Sequence, residues 1–401
     1  MKIAFYIPNK NISNINLSNI DEGNPGIGGS EFSAVLIASN LCKKLNHEIY
    51  AFCDKKSNFP SSLKWQVCGD IIGAIKLSIK QNFDFIIIDG KLLTKEIICT
   101  FTNVRFIAWA NTFISKEYLD FFSRMDNVIN IINVGKEQLH LTKNHPIYKK
   151  STFIYNAVPT GILKKFPNMT PNFKREHNVC YIGSLHPAKG FQFLAQAWPK
   201  VLKEVPDANL FIIGSGKLYG RNAQLGKWGI AKEEFEEEFM PYITQNGKII
   251  DSVHFLGILG DEKYSILEKC KVGVPNPSGV SETFGYTAVE MEMMGCQVTT
   301  IKCPGYMDTV FNKKNLYNNT DQLSKYIIKL LIDNSYNYHN IDKFLDLFSV
   351  RLIVNQWIDY LSQLDKNKPI HIKKNLELYT YKFVFYKNQI KQKIKTLLKS
   401  L

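Results

Sequence analysis

The sequence predicts an α/β protein of two successive halves, each with a parallel β-sheet covered by helices. Short apolar runs of strand length alternate with helical stretches in which apolar residues recur about every 3.6 positions. The pattern stops in a segment rich in Pro and Asn, residues 155–173, and then begins again. Since strands that alternate with helices form βαβ units, both halves are expected to contain parallel strands.

The first half, residues 1–160, is predicted to form one domain. Its first strand is "KIAFYI" and its first helix is "SEFSAVLIASNLCKKL". Further strands are predicted at "HEIYAFC", "FDFIIID", "RFIAWA" and "NVINIINV". These runs are short and mostly apolar, which is typical of strands buried on both faces of a sheet.

The second half, residues 174–345, repeats the alternation. It has a strand at "NVCYIGS", a helix at "GFQFLAQAWPKVLKEV" and further strands at "ANLFIIGSG", "SVHFLG", "KVGVPNP" and "CQVTTIK". The charged connection between residues 217 and 251 is predicted to contain a helix, "KEEFEEEFMPYI". Residues 346–365 are expected to form a helix that returns toward the first domain.

The composition fits a protein that folds without metal or disulfides. The 401 residues suffice for two domains, and no apolar run approaches the roughly 18 residues of a membrane-spanning helix. The start, "MKIAFYIPNK", lacks a small-residue cleavage site, which favours a cytoplasmic location. The eight cysteines contain no C-x-x-C pair, which argues against a zinc site or a disulfide framework.

The tail, residues 366–401, contains ten lysines and one glutamate and so supplies +9 of the net charge of +14. Its apolar residues recur at steps of three or four and form one stripe: Leu376, Tyr379, Phe383, Tyr386, Ile390, Ile394, Leu397 and Leu401. This basic amphipathic helix predicts contact between residues 376–401 and an anionic membrane surface. The alternative is that the stripe packs on the protein or on a partner helix. No nucleic-acid partner is expected, because the tail has no Arg and no separate binding module accompanies it.

Three loops combine glycine with polar residues at predicted carboxyl ends of strands, where parallel sheets bind ligands. The first is "NPGIGGSE", in which Gly28 and Gly29 precede the first helix. Glycines there would let backbone N–H groups approach a phosphate or a sugar. The loop is not G-x-G-x-x-G, so it does not match a dinucleotide-binding fingerprint. The alternative is a plain helix-entry turn with Ser30 as the cap.

The second loop is "IGSLHPAKG", residues 182–190. A strand ends at Gly183, and Lys189 lies just before a helix that begins near Gly190. A lysine beside a helix N-terminus would neutralise a diphosphate without a metal. The alternative is a solvated surface lysine.

The third loop opens "NPSGVSETFGYTAVEMEMMGC", residues 276–296. The preceding strand delivers Glu282 into the loop, and Gly285 starts a helix that carries Glu290 about one and a half turns along. Each carboxylate can accept two hydrogen bonds from vicinal hydroxyls, as on a ribose or a hexose. Two such acceptors beside a pocket lined by N–H groups predict a nucleotide-diphospho-sugar site. If both were merely exposed charges, the surrounding Pro, Gly and Phe would need separate explanations.

These stretches resemble the retaining glycosyltransferases of family 4 (glycosyltransferase group 1), whose GT-B fold has two Rossmann-like domains with parallel sheets facing a central cleft. Glu282 and Glu290 have the spacing of that family's E-x7-E motif. "GGSEFSAVLIASNLCKKLNHEIYAF" is similar to its N-terminal glycine loop and first helix, and "YIGSLHPAKGFQFLAQAW" to its diphosphate segment. "LFIIGSG" and "VHFLG" follow in the family's order, so the resemblance covers roughly residues 1–360.

The resemblance implies transfer of a hexose from a nucleotide-diphospho-sugar with retained anomeric configuration. It implies that Glu290 holds the ribose hydroxyls, that Glu282 holds the donor-sugar hydroxyls and that Lys189 contacts the diphosphate. The other donor-binding residues that it implies are Phe284, Gly285, Tyr286, Gly28, Gly29, Gly183, Ser184, Gly214, Lys217 and Arg221. The family's GT-B members need no metal and the sequence has no D-x-D triplet, so neither a metal nor a cofactor is expected.

The sequence departs from the family at two positions. Ser184 stands where the family often has an arginine, so either another cation, Lys217 or Arg221, compensates or diphosphate binding is weaker. Asn111 lies where the family often has a histidine, and an amide can bind a hydroxyl but cannot act as a base. In the implied mechanism the leaving phosphate assists deprotonation of the acceptor, so Asn111 is still a candidate catalytic residue. The alternative is a structural turn asparagine.

The predicted function is that of a cytoplasmic glycosyltransferase, peripheral on the inner face of the membrane, that extends a glycan or lipid-linked acceptor in cell-envelope polysaccharide synthesis. The alternative is a nucleotide-sugar-binding protein of the same fold that lacks transferase activity and acts as a partner or scaffold. The spacing of Glu282 and Glu290 favours the enzyme, whereas Ser184 and Asn111 leave room for the alternative. These motifs specify neither the nucleotide, the sugar nor the acceptor.

Overall fold

The computed structural model describes residues 1–44, 48–166, 175–220, 222–333 and 341–365. These residues form two compact units: the first contains residues 1–166 and the described residues from 342 onward, and the second contains those between. The predicted tail helix, residues 366–401, lies outside the described residues, as do residues 167–174 of the predicted linker.

The first unit is built on a seven-stranded parallel sheet. Its strands are β1 Lys2–Ile7, β2 Glu48–Cys53, β3 Trp65–Val67, β4 Phe85–Asp89, β5 Phe106–Ala110, β6 Val128–Asn133 and β7 Ser151–Phe153, in the order β3-β2-β1-β4-β5-β6-β7. The helices between them are α1 Gly29–Lys44, α2 Ile71–Lys80, α3 Lys95–Thr100, α4 Lys116–Arg124 and α5 Lys136–His140. Every residue of β4 and β5 is buried, as expected for central strands that helices cover on both faces.

The second unit is built on a five-stranded parallel sheet in the order β12-β9-β8-β13-β14. The strands of this sheet are β8 Glu176–Ile182, β9 Asn209–Ile213, β12 Val253–Gly257, β13 Cys270–Gly273 and β14 Gln297–Val298. The other strands of the unit form two pairs, β10 Thr244–Gln245 with β11 Lys248–Ile249 and β15 Thr300–Ile301 with β16 Leu316–Tyr317. Its helices are α6 Phe191–Glu204, α7 Glu233–Phe239, α8 Glu262–Leu267, α9 Tyr286–Met293, α10 Pro304–Thr309 and α11 Leu323–Ile332. The core contains Phe191 and Trp198 of α6 together with Phe239 of α7.

Two last helices, α12 Ile341–Asp346 and α13 Val350–Asp365, follow the second unit in the chain. The Trp357 ring of α13 is fully buried, with its centroid 4.9 Å from that of Trp109 and 5.9 Å from that of Phe5. Because Phe5 lies in β1 and Trp109 in β5, α13 packs on the sheet of the first unit.

The prediction of two α/β halves with parallel sheets is confirmed. One detail was wrong: the single strand predicted at "CQVTTIK" is two strands, of which β14 pairs with β13 and β15 with β16. The change occurs at Thr299, whose N–H donates to the Gly273 carbonyl at 2.9 Å and whose Oγ1 donates to the Asn315 carbonyl at 2.8 Å. None of the helices in the described part of the chain combines the length and the apolar composition of a membrane-spanning segment.

Candidate functional site

The candidate site of the second unit lies at the carboxyl ends of two paired strands. β8 leads into the loop with Lys189, and β13 leads into the loop with Glu282. Lys189 Nζ lies 2.5 Å from Glu282 Oε1, which also accepts a hydrogen bond of 2.7 Å from Asn276 Nδ2. The Lys189 and Glu282 side chains are 21% and 12% exposed, so water screens this ion pair only in part. The structure therefore brings two of the predicted site residues into direct contact.

A small polar network holds these two loops together. Ser278 Oγ lies 2.7 Å from the Ala188 carbonyl oxygen and 2.6 Å from Asn276 Oδ1. Asn276 Nδ2 also donates to the Val280 carbonyl at 3.0 Å. Gly190 has φ +71°, and a Cβ added there would lie 2.5 Å from the Ser278 backbone nitrogen. Only glycine fits at this contact between the loops.

The backbone just before Glu282 is strained. Ser281 has φ +61°, a left-handed conformation that costs a residue other than glycine about 1–2 kcal/mol. Bonds from α10 support the turn, since Gly305 N–H donates to the Glu282 carbonyl at 3.2 Å and Thr309 Oγ1 donates to the Phe284 carbonyl at 2.7 Å. Ser281 directly precedes the candidate carboxylate, and strained backbone is common at functional sites.

Gly285 forms the junction between this loop and α9. It has φ +82°, and a Cβ added to it would lie 2.6 Å from Tyr306 Cε1. The helix therefore begins at Tyr286 with no side-chain cap, and the backbone turns into it closely against α10.

The side chain of Glu290, in the second turn of α9, is 7% exposed and is paired inside the protein. Two neighbouring residues of α8 contact it: Lys263 Nζ lies 2.7 Å from Glu290 Oε1, and the Tyr264 hydroxyl donates to the same oxygen at 3.0 Å. The Lys263 side chain is itself only 4% exposed. A predicted ligand-binding carboxylate is thus held by a buried cation.

Charges in the site shift the pKa values of its neighbours. Burial by itself lowers the pKa of Lys189, but attraction to the Glu282 carboxylate outweighs it, and the net pKa is raised. Burial, followed by repulsion from Glu282, raises the pKa of both Tyr181 and Tyr306. At neutral pH the lysine is therefore a cation, and both phenols are neutral.

The ends of β8 and β9 lie side by side, and each is followed by a glycine that was predicted to bind the donor, Gly183 after β8 and Gly214 after β9. Gly214 has φ +146°, and a Cβ added there would lie 1.8 Å from the Gly183 carbonyl oxygen. Gly214 N–H donates to the carbonyl of Gly257, at the end of β12, at 2.7 Å. The three strand ends thus approach one another as closely as their backbones allow.

Ser184, which stands where the family often has an arginine, and the two cations proposed to compensate for it are placed differently. Ser184 is 2% exposed, and its Oγ lies 3.4 Å from the Ser215 carbonyl oxygen. Lys217 is half-buried, and its backbone N–H donates to Ser215 Oγ at 3.2 Å. Arg221 lies outside the described residues.

Three further candidates belong to the first unit. Gly28 and Gly29 stand at the start of α1, where the Gly28 carbonyl accepts a hydrogen bond from Phe32 N–H at 3.0 Å. Asn111 directly follows β5, is half-buried, and donates its backbone N–H to the Trp109 carbonyl at 3.0 Å. These three residues therefore do not share a unit with Glu282 and Glu290.

Sequence reasoning missed several polar residues of the site. Asn276 lay in the stretch that we singled out, but nothing in the sequence marks its side-chain contact with Glu282. No helix was predicted around Lys263, but in the structure Lys263 and Leu267 share one face of α8 at the i, i+4 spacing, and both are buried. A lysine on the apolar face of a predicted helix indicates a buried counter-charge.

A second missed feature lies in the first unit, where the half-buried carboxyl of Glu31 and the buried carboxyl of Asp89 interact electrostatically. Burial raises the pKa of Glu31 in α1 and of Asp89 at the end of β4, and the nearby Lys91 charge opposes both shifts. Asp89 Oδ1 accepts a hydrogen bond from Lys91 N–H at 3.1 Å. Within the described ranges, no group of three or more His, Cys, Asp or Glu residues is arranged to hold a metal ion.

Two Rossmann-like units with parallel sheets make this a GT-B fold, the fold of solved glycosyltransferases. An E. coli trehalose-6-phosphate protein bound with UDP-2-fluoro glucose superposes with a TM-score of 0.60, at 10% identity, over 90% of this chain and 99% of that one. The pneumococcal O-GlcNAc transferase GtfA, in complex with UDP and GlcNAc, gives 0.52 at 15% identity over 73% of this chain and 60% of GtfA. Likeness at such low identity establishes the fold.

Sequence comparison also finds similarity to glycosyltransferases. Residues 164–343 match the family model of the group 1 glycosyl transferases. An uncharacterized glycosyltransferase of Haemophilus influenzae is 26% identical over 221 residues, which are 52% of this chain and 55% of that protein. The chain thus spans about half the length of this curated relative. The chain is thus similar to glycosyltransferases in fold and, over residues 164–343, in sequence.

Proposed function

We propose that this protein is a retaining glycosyltransferase that moves a hexose from a nucleotide-diphospho-sugar to a glycan or lipid-linked acceptor. The observation that carries the proposal is the Lys189–Glu282 ion pair, with Glu290 eight residues farther on, inside the segment that matches the group 1 glycosyl transferases. A cation and two carboxylates suit a ligand with a diphosphate between two polyhydroxylated sugars.

In this proposal, donor binding separates Lys189 from Glu282 and gives each of them a new partner on the donor. The diphosphate takes the Lys189 ammonium, assisted by backbone N–H groups of Phe284, Gly285 and Tyr286 at the start of α9. Glu282, released from Lys189, accepts hydrogen bonds from hydroxyls of the donor sugar. Asn276 Nδ2, 2.7 Å from Glu282 Oε1, keeps that carboxylate in place during the exchange. Glu290 holds the ribose hydroxyls.

The proposed chemistry needs no metal, because Lys189 and the helix N-terminus neutralise the leaving diphosphate. Gly183, Gly214, Lys217 and Arg221 complete the donor pocket in this proposal. Since Ser184 Oγ is directed to a backbone carbonyl, the missing arginine charge has to come from elsewhere. His186 is a further candidate: burial and then the charges of Lys232 and Lys189 lower its pKa, so an arriving diphosphate would favour its protonated form.

The acceptor side of the proposal rests on the first unit. In this proposal, as the family resemblance implies, Gly28 and Gly29 take part in donor binding, and Asn111 binds a hydroxyl while the departing phosphate takes the acceptor proton. The proposed setting is cell-envelope polysaccharide synthesis on the inner face of the membrane, with the tail on anionic lipid. This setting follows from the amphipathic pattern of residues 376–401.

A thermal-shift panel of UDP-, GDP-, ADP- and CDP-sugars in EDTA tests the proposal. We expect one nucleotide family to raise the melting temperature of the wild type. Glu290→Ala should abolish that shift, and exposed Glu234→Ala should keep it. Glu282→Ala should retain affinity for the free nucleoside diphosphate yet lose sugar transfer. Equal losses of nucleotide affinity in the Glu282 and Glu290 variants would contradict the proposed roles.

A second candidate function is nucleotide-sugar binding without transfer, which the serine at position 184 and the amide at position 111 favour. Turnover separates the two functions. Release of nucleoside diphosphate that depends on an acceptor and on Glu282 identifies a transferase. Binding without release, across membrane and cell-wall acceptor extracts, identifies the scaffold.

A further inference from the structure

The contact between Lys263 and Glu290 has a cost that a purely structural role does not explain. Both side chains are nearly inaccessible, at 4% and 7% exposure, and two charges removed from water lose much of their hydration energy. Apolar residues of similar volume commonly stabilise a protein as well as a buried ion pair does. A buried lysine at this position therefore points to a role for the charge itself.

Both α8 side chains that contact Glu290 do so at the same carboxylate oxygen. Lys263 Nζ at 2.7 Å and the Tyr264 hydroxyl at 3.0 Å both approach Oε1. Neither contact uses Oε2. Lys263 Nζ also lies 4.9 Å from the centroid of the Tyr264 ring, so the two α8 side chains support each other. The carboxylate is thereby fixed by one oxygen, and the second oxygen can accept from a ligand.

We propose that Lys263 is a positioning residue of the donor site: it keeps Glu290 anionic and turns Oε2 toward the ribose hydroxyls. This inference rests on the proposed function, in which Glu290 binds the ribose. A carboxylate accepts hydrogen bonds from both vicinal hydroxyls, whereas a protonated carboxyl is a weaker acceptor and must itself donate one bond. Lys263 acts on the nucleotide only through Glu290.

Other ionisable groups near α9 do not take over this task. Glu292, two residues farther on, accepts the Phe311 N–H at 2.8 and 2.9 Å with its two oxygens. Burial raises its pKa well above the usual value, and the Lys313 charge opposes that shift. The titratable groups that contact the Glu290 carboxylate within the described part of the chain are Lys263 and Tyr264.

The first test uses no ligand. In Lys263→Met, the Glu290 carboxyl is buried without its cation, which favours the protonated form. A carboxyl whose folded form holds its proton more tightly than the unfolded chain destabilises the protein increasingly as pH rises. We therefore expect the melting-temperature deficit of the variant to grow between about pH 5.5 and 8.5. Lys263→Met/Glu290→Gln has neither charge, so its deficit should not depend on pH in this window.

The second test measures affinity for a nucleotide sugar from the same four-member panel, because its diphosphate does not titrate in this range. Wild-type affinity should be nearly constant between about pH 6 and 8.5, while Lys263→Met should bind about tenfold more weakly at the acid end and recover as pH rises. Lys263→Gln serves as a second variant with the same expected profile. Lys271→Met, which removes a lysine that donates to the Leu331 carbonyl, is the matched control and should follow the wild type.

The outcomes separate the inference from the proposed function. If the wild type binds none of the four sugars, the donor-site assignment fails, and the ligand-free test alone decides whether Lys263 keeps Glu290 ionised. If the wild type binds and the Lys263 variants bind equally well, the inference is overturned while the proposed function stands. A loss of affinity by the same factor at every pH would also overturn it, since that is the signature of a merely structural lysine.

Discussion

Replacing Lys189 by methionine tests the central ion pair, because methionine keeps the length of the side chain and removes its charge. In the free protein the change leaves the Glu282 carboxylate, 12% exposed, with the Asn276 amide at 2.7 Å and without a counter-ion. A fully buried pair broken in this way costs about 3–5 kcal/mol. Because Lys189 is 21% exposed, water compensates in part, and we expect a loss of about 1–2 kcal/mol in the free energy of unfolding.

In the proposed donor complex, the same substitution would remove a charge-assisted bond to the diphosphate. Such bonds contribute about 1.5–3 kcal/mol, so affinity for the nucleoside diphosphate should fall by about 10- to 100-fold. The assays are urea unfolding and calorimetric titration of the wild type, Lys189→Met, Glu282→Gln and the double variant. The loss of stability in the double variant should be smaller than the sum of the losses in Lys189→Met and Glu282→Gln by about 1–2 kcal/mol, since each single variant breaks the same pair. Additive losses together with unchanged nucleotide affinity would refute the reasoning.

The contribution of the Lys189–Glu282 pair to the free energy of unfolding should decrease at alkaline pH. The pKa of Lys189 is raised above its ordinary 10.5, so the contribution of the pair is complete below that pH and is lost as pH rises through the raised value. The difference in stability between the wild type and Lys189→Met should therefore be constant from neutral pH to about 10 and shrink above it. A difference that already shrinks near neutral pH would show that the lysine is not held by Glu282.

Two further predictions concern the loop into α9 and the tail. Gly285→Ala should destabilise the protein by about 2–4 kcal/mol in urea unfolding, because its Cβ would lie 2.6 Å from Tyr306 Cε1 at φ +82°. Gly229→Ala is the matched control, with φ +68° and no atom within 4 Å, and should cost only about 1 kcal/mol, so equal losses would rule out the steric explanation. Deleting residues 370–401 should reduce sedimentation with anionic liposomes at least about tenfold while leaving neutral liposomes unaffected. Unchanged partition would assign the apolar stripe to protein contacts.

The sequence predicted the buried framework well for a physical reason. Strands such as β1 and β4 consist almost wholly of buried apolar residues, so composition and length alone mark them. β3 has three residues, two of them exposed, and its pairing to β2 comes from tertiary context. The division of "CQVTTIK" into two strands likewise depends on carbonyl acceptors at Gly273 and Asn315, which are distant in sequence.

Within the candidate site, spacing along the chain made Glu282 and Glu290 candidates because both belong to one loop and helix. Their partners could not be found in that way. Lys189 reaches Glu282 only because β8 and β13 are neighbours in the sheet, and Lys263 reaches Glu290 only because α8 packs against α9. Strand order and helix packing determine such contacts, and a local pattern does not encode either.

If the proposed function is correct, the Lys189–Glu282 ion pair also makes the site selective for a ligand that combines two kinds of chemical group. Lys189 and Glu282 cancel each other's charge, so a lone anion has to separate them and leaves Glu282 without a cation in a partly dehydrated loop. A sugar without a phosphate has to compete with the Lys189 ammonium for the Glu282 carboxylate oxygen. A ligand that brings an anion and hydroxyls together replaces both partners at once. The proposed function therefore predicts that free phosphate and free hexose compete poorly with a nucleotide-sugar that carries both groups.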